Sequence, residues 1–257
     1  MPKWTAFPYI GEYNFDAASV KKHWARLHIG DAEPLPKDGK LLDGWALFHN
    51  GEFQKAVDTG LKLGSSGVTL ANKAASIYAT YLEKKEKARL EMYLEVAQRA
   101  EAQAQQDPQN PNAFYWQAYA LGRYSQGISV AKALAQGLGG KVKVALENTI
   151  KLQPKHADAH VALGSFHAEV IDKVGTLIGG MTYGAKKDIG LKLFQEALRI
   201  NFESAIAMIE YANAMVMLEG DKKMKEATKL YRQAAAFKPL DAAERLDVEM
   251  AKAELED

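Results

Sequence analysis

Three segments of this chain close in the same way: AEAQAQQDP to Pro108, ALENTIKLQP to Pro154 and KLYRQAAAFKP to Pro239. A fourth, LFQEALRINF, puts Phe202 where the proline would stand. Such repetition constrains a fold more than local propensity does, because a recurring unit buries its apolar face against its own copies. Aligned on these anchors, the following residues fall into register as QNPNAFYWQAYAL, KHADAHVALGSFH and ESAIAMIEYANAM. Each carries a small residue ten positions past its anchor: Ala118, Gly164 and Ala212. Larger residues seven apart flank that notch, Phe114 with Leu121, His160 with His167, and Met208 with Met215. Seven residues are two helical turns, so each pair shares a face, and the small residue lets a second helix approach to roughly 8–10 Å.

Beyond Pro36 nearly every segment reads as amphipathic helix, and alternating period-two runs are missing. The expected class is all-α. Composition excludes several functions. With 33 basic and 32 acidic residues there is no overall field to draw in nucleic acid or anionic lipid. Absence of cysteine removes disulfides, thiolate metal sites and a cysteine nucleophile. The N-terminal MPKWTAFPYIGEYNF lacks the apolar run of roughly 7 to 15 residues that a signal peptide needs. No window reaches the roughly 18 apolar residues of a membrane span. A cytoplasmic protein without a membrane span or nucleic-acid partner is the expectation.

A second-helix pattern of Ala-x3-aromatic-x2-Ala occurs as Ala227, Tyr231 and Ala234, and in degenerate form as Gly190, Phe194 and Ala197. Gly44, Gly51, Phe53 and Ala56 match as well. On these residues the chain resembles the tetratricopeptide repeat (TPR) family, whose unit is two antiparallel helices with a closing proline. The resemblance implies a TPR-like right-handed α-solenoid of four to five units from Lys40 to about Pro239, with Leu240–Asp257 as a capping helix. The first 36 residues are expected to form a separate N-terminal arm and helix, with Asp16 as N-cap, and 37–257 the repeat domain. The arm either packs on the first repeat or serves as a docking strap.

The anchors are separated by 46, 48 and 37 residues, where a TPR unit has about 34. The surplus lies in YSQGISVAKALAQGLGGK and EVIDKVGTLIGGMTYGAKKD, so the second half should carry elongated helical hairpins that extend past the solenoid edge and return through glycine turns. Lengthened units, the LGxxH segment and the YG turn are similar to the T component of TRAP-type transporters and to the regulator of microtubule dynamics family. That similarity implies a scaffold whose helix pairs surround an apolar cleft and engage another protein.

Catalytic motifs fail on inspection. GLGGKV lacks the glycine and the Ser/Thr of a phosphate-binding loop, and no strand precedes it. His156, His160 and His167 could form a metal stripe on one helix, but His160 and His167 occupy the inward positions of the repeat, which favours core histidines. No serine elbow, zincin motif or cysteine-bearing deaminase site is present. No enzyme activity, cofactor or metal is expected.

In a solenoid the first helices line the concave face. Residues one turn from the core pairs should point into it: Asn112, Tyr115, Tyr119 and Arg123, then Asp158, Val161, Ser165 and Glu169, then Asn213 with Ile206, Ile209 and Met217. Tyr115 and Tyr119 could instead pack beneath the extended hairpin. The leading expectation is a non-catalytic scaffold that binds a peptide or partner protein in this groove. The alternative is a carrier of a small apolar or amphipathic ligand between the elongated hairpins.

Overall fold

The computed structural model describes residues 4–256, so the first three residues of the N-terminal segment and the last of the helical domain lie outside it. The described residues contain no strand. Helix α1 (Ala17–Leu27) follows an irregular arm. Five helix pairs come next: α2 (Gly39–His49) with α3 (Phe53–Lys62), α4 (Val68–Tyr81) with α5 (Glu86–Gln106), α6 (Pro111–Gln126) with α8 (Leu138–Leu152), α9 (Ala157–Tyr183) with α10 (Lys187–Ile200), and α11 (Ala205–Glu219) with α12 (Met224–Ala235). A short α7 (Val130–Ala135) lies inside the third pair, and α13 (Ala242–Glu256) ends the fold.

The repeated anchors are helix-to-helix corners. Asp107, Gln153 and Asn201 are C-caps whose N–H groups bond back into α5, α8 and α10. Each corner then needs only three residues to reach the next N-cap. Asn110 accepts from the Asn112 and Ala113 amides at 3.0 and 3.3 Å, His156 Nδ1 from Ala159 at 3.1 Å, and Ser204 Oγ from Ala207 at 3.2 Å. These side chains satisfy donors that a helix start leaves open. Phe202 turns the same corner as Pro108 and Pro154 because the flanking caps, not the ring, hold it.

The notch works as its spacing predicts. A Cβ on Gly164 would lie 2.8 Å from the Phe194 ring, so the missing side chain of α9 makes room for the aromatic of α10. Phe194 is fully buried and stacks on Tyr211 of α11 with centroids 5.3 Å apart, which ties three helices together. Ala118 and Ala212 are buried at the corresponding places.

The surplus residues form a lengthened hairpin that returns at a glycine, as expected. Helix α9 runs for 27 residues, and Gly175, at φ 81° and ψ 159°, breaks it so that the chain folds back. Tyr183 thereby comes within 6.3 Å of Phe166 by ring centroids and lies against Gly139 of α8, while Gly179 abuts Val170. Burial decides the outcome: a projecting apolar segment would leave Val170 and Phe166 in water, whereas a left-handed glycine lets the segment cover them.

Both ends of the chain meet. In the arm, Trp4 stacks on Tyr78 at 4.1 Å, the Thr5 amide donates to the Tyr78 hydroxyl, and Phe7 packs on Phe53. Asn50 both donates to and accepts from the Phe15 backbone. Asp16 caps α1 in a reciprocal box with Ser19. From the other end, Asp241 accepts from His49 Nδ1 at 2.6 Å, Tyr81 donates to Asp247, Glu244 pairs with Arg26 at 2.5 Å, and Arg245 pairs with Glu12 at 2.9 Å. Helix α13 therefore crosses from α12 to the first repeat.

Gly164→Val should destabilise the chain by about 1–3 kcal/mol by pushing Phe194 from its seat. Gly122→Ala, in open space on the neighbouring α6, should leave stability unchanged or slightly raised. Urea denaturation of both variants checks the pair, and equal stabilities would contradict the notch.

Candidate functional site

The concave side of the helix array holds a partly open cavity of about 390 Å³. Its walls come from the end of α1 and the loop after it, from α4, α6, α7, α8, α9 and α11, and from α13 with the turn before it. Two ends differ in chemistry. Between α7, α8 and α9 the lining is apolar, with Val130, Leu134, Leu138, Val142, Val170 and Tyr183. Toward α13 and the α1 loop it is polar, with Asp31, Lys73, Tyr81, Tyr115, Asp158, Asp241 and Asp247.

Eight of the twelve residues expected from the repeat register lie on this wall: Tyr115, Tyr119, Arg123, Asp158, Val161, Ser165, Glu169 and Ile206. Asn112, Ile209, Asn213 and Met217 do not. Asn112 is fully buried, donating to the Asp31 carbonyl at 3.1 Å and to Glu33 at 2.6 Å while its oxygen meets His156 Nε2 at 3.0 Å. It clamps the post-α1 loop to the corner before α9. Asn213 accepts from Tyr231 within its own helix pair. One turn around from the core pair is a cavity position only where the superhelix curves inward, and at Asn112 and Asn213 neighbouring elements take the space.

Several wall residues are already engaged with one another. Arg123 reaches from α6 to Glu210 of α11 at 2.9 Å, Ser165 donates to the same carboxylate at 3.1 Å, and Gln126 donates to Glu169 at 2.6 Å. The Tyr119 hydroxyl is 2.8 Å from Thr80, and Arg123 lies over the Tyr119 ring at 5.4 Å. Arg123 is thus a strut across the concave face. Burial opposes its charge, but Tyr119 and Glu210 beside it hold its pKa well above the ordinary value.

The polar end is dominated by carboxylates. Asp31 is buried and bonded by Lys73 Nζ at 2.6 Å and His28 Nδ1 at 3.0 Å. Burial raises a carboxyl pKa, but these two partners overcome it and hold Asp31 well below the usual range. His28 itself is pushed down to about 4 by burial despite Asp31, so it is a neutral ring donating to a carboxylate. Asp241 is held down in the same way by His49 against burial. Asp158 has no such partner. Its carboxylate packs against Gly30, accepts no hydrogen bond from the described residues, and turns its remaining surface to the cavity. Burial first, then repulsion from Asp31, raises its pKa to about 7, with Lys73 offsetting only part. Asp247 is raised well above the usual value by burial, against the Tyr81 hydrogen bond, with further repulsion from Glu244, Asp241 and Asp158.

The three histidines of α9 do not converge. His156 caps the helix and meets Asn112, His160 Nε2 lies 2.9 Å from the Pro154 carbonyl, and His167 Nδ1 accepts from the Lys186 amide at 3.1 Å. They are built into corners and turns. Register reasoning missed Asp31, Lys73, Tyr81, Asp241 and Asp247, which come from the arm loop, α4 and α13. One signal was available: Lys73 is the single charge in VTLANKAASIYATY, a helix otherwise suited to complete burial.

The sequence model of the family described as Regulator of microtubule dynamics protein 1-3 matches residues 46–256. The chain belongs to this family. The match leaves out the arm, α1 and the start of α2, so Asp31 lies outside it while Lys73, Asp158 and Asp247 lie within. Among solved structures, a thermophilic TPR protein of Thermus thermophilus superposes with a TM-score of 0.58 at 15% identity over 83% of this chain and 97% of that one. At that identity the likeness is one of fold, and it places this family member among TPR-like α-solenoids. No curated protein matches the chain. No helix among the described residues is long and apolar enough to cross a membrane.

Asp158 carries a folded-state pKa near 7 against an unfolded value of 3.8. The folded chain binds this proton more tightly, so stability from this group is lost as pH rises from about 4 to about 7. Asp158→Asn should raise the melting temperature by about 2–6 °C at pH 8, taking roughly 2–4 °C per kcal/mol for a chain of this size. The gap should close by pH 4. Scanning calorimetry at both pH values checks this, and an unchanged or lower melting temperature at pH 8 would contradict it.

Proposed function

We infer that this chain is a non-catalytic, TPR-like binding protein whose interior cavity holds a small amphipathic ligand. The observation that carries this reading is the division of the concave face into two chemical ends. An open groove would suit an extended peptide, but α13 and the α1 loop line one end of that face and narrow it to a partly open cavity of about 390 Å³. That size falls within the roughly 300–1,000 Å³ of small-molecule sites. One apolar lobe and one polar end match a guest with both characters. Arg123 and Glu210 act as struts that keep the walls apart rather than as reacting groups.

A protein partner is the second reading, favoured by Leu177, Ile178 and Met181, which are 76%, 57% and 82% exposed on the folded-back end of α9. Contiguous exposed apolar side chains of this kind mark contact sites. The two readings are compatible, since one uses the inside of the fold and the other its outer edge.

Titration calorimetry with n-octanol tests the cavity. Saturable binding of one molecule per chain is expected, and Ala162→Trp, which fills the cavity from α9, should weaken it by about tenfold or more while the far-ultraviolet dichroism stays helical. Failure of octanol and of its charged analogues to bind the wild-type chain would remove the carrier reading and leave the outer-edge partner.

A further inference from the structure

Apart from Lys238, an exposed side chain on the turn before α13 that makes no ion pair among the described residues, the cations on the cavity wall can be matched one by one with carboxylates. Lys73 is held by Asp31, Arg123 by Glu210, Arg26 by Glu203 and Glu244, and Lys173 lies 3.7 Å from Glu169. Asp241 has His49. Two carboxylates are left over at the same end. Asp158 has no hydrogen-bond donor among the described residues, and Asp247 has only the neutral Tyr81 hydroxyl. They are close enough that Asp158 contributes to the pKa of Asp247.

A half-buried carboxylate without a protein donor is less well hydrated than a free one, and no protein group makes up the loss. Its presence on a cavity wall points to a guest that supplies the missing donor. The guest's chemistry follows from the surroundings. An anion would face Asp158, Asp247 and Asp241 together. A bare divalent ion needs several oxygens converging at roughly 2.0–2.6 Å, and the described residues offer no such cluster. An ammonium group needs less: one or two carboxylates as acceptors, and aromatic faces such as those of Tyr115 and Tyr81 beside them. The remainder of the guest would lie along the apolar lobe toward Val142 and Val170.

We propose that the polar end of the cavity is a receptor for the cationic head of an amphipathic amine, with Asp158 as its main carboxylate partner and Asp247 as the second. This rests on the cavity reading above and adds the ligand class to it.

The test compares n-octylammonium, n-octanol and n-octanoate, each titrated calorimetrically into the full chain at pH 8. The ammonium should bind at least about tenfold more tightly than the alcohol, as a charge-assisted pair in a partly desolvated site does, and the octanoate more weakly than the alcohol. Asp158→Asn should bring the ammonium and alcohol affinities to within about threefold while the alcohol binds as before. Asp247→Asn should reduce the ammonium preference in part, and it provides the same readout should the first variant fold poorly. Octanoate binding as tightly as the ammonium, or an ammonium preference unchanged in both variants, overturns the amine assignment while octanol binding still upholds the cavity. If none of the three binds, both readings fall together.

Discussion

The hydrogen bond from His49 to Asp241 joins positions 192 residues apart, at 2.6 Å and buried on both sides. With Tyr81 to Asp247 and Arg26 to Glu244, it ties α13, which packs on α11 and α12 of the last pair, to α1, α2 and α4 as well. An ordinary solenoid has contacts only between neighbouring units, so its concave face stays open. Here the long-range bonds narrow that face into a partly open cavity. They are also the interactions most sensitive to their surroundings, because each joins groups that would be costly to bury alone.

This narrowing explains the unusual electrostatics. The carboxylates of the cavity wall would be better hydrated on an open surface. Partly withdrawn from water, one that finds no donor becomes harder to ionise. Asp31 and Asp241 found theirs in Lys73, His28 and His49. Asp158 did not, and its pKa rises to about 7 as a result. The same narrowing makes Arg123 a strut across the cavity, fixed to Glu210, where a superhelix with an open face would have left it free to meet a partner.

Much of the architecture was legible in the chain because it depends on local spacing. The corners at Pro108, Pro154 and Phe202, the notch at Gly164 and the large residues beside it all follow from the 3.6-residue period and from capping chemistry, and neighbouring units reinforce them. The cavity wall was legible only where it lay on first helices in register, as with Tyr115, Asp158 and Ser165. Asn112 and Asn213 satisfied the same spacing yet point elsewhere, since register gives an angle around a helix axis and not what stands opposite. Lys73 and Asp247 belonged to no repeated pattern.

The fold-back at Gly175 marks the boundary between the two kinds of information. Glycine spacing announced a turn, because only glycine takes a positive φ without penalty. Whether the segment beyond it projected or returned depended on Val170 and Phe166 needing cover, which is a property of the assembled surface. In the same way the amino-acid order by itself determined helix pairs, their corners and their close approach, all set within one unit or between adjacent ones. Tertiary structure alone decided that the two ends meet, that the concave face narrows to a cavity, and which carboxylate remains without a partner, because those outcomes arise from contacts among residues more than a hundred positions apart.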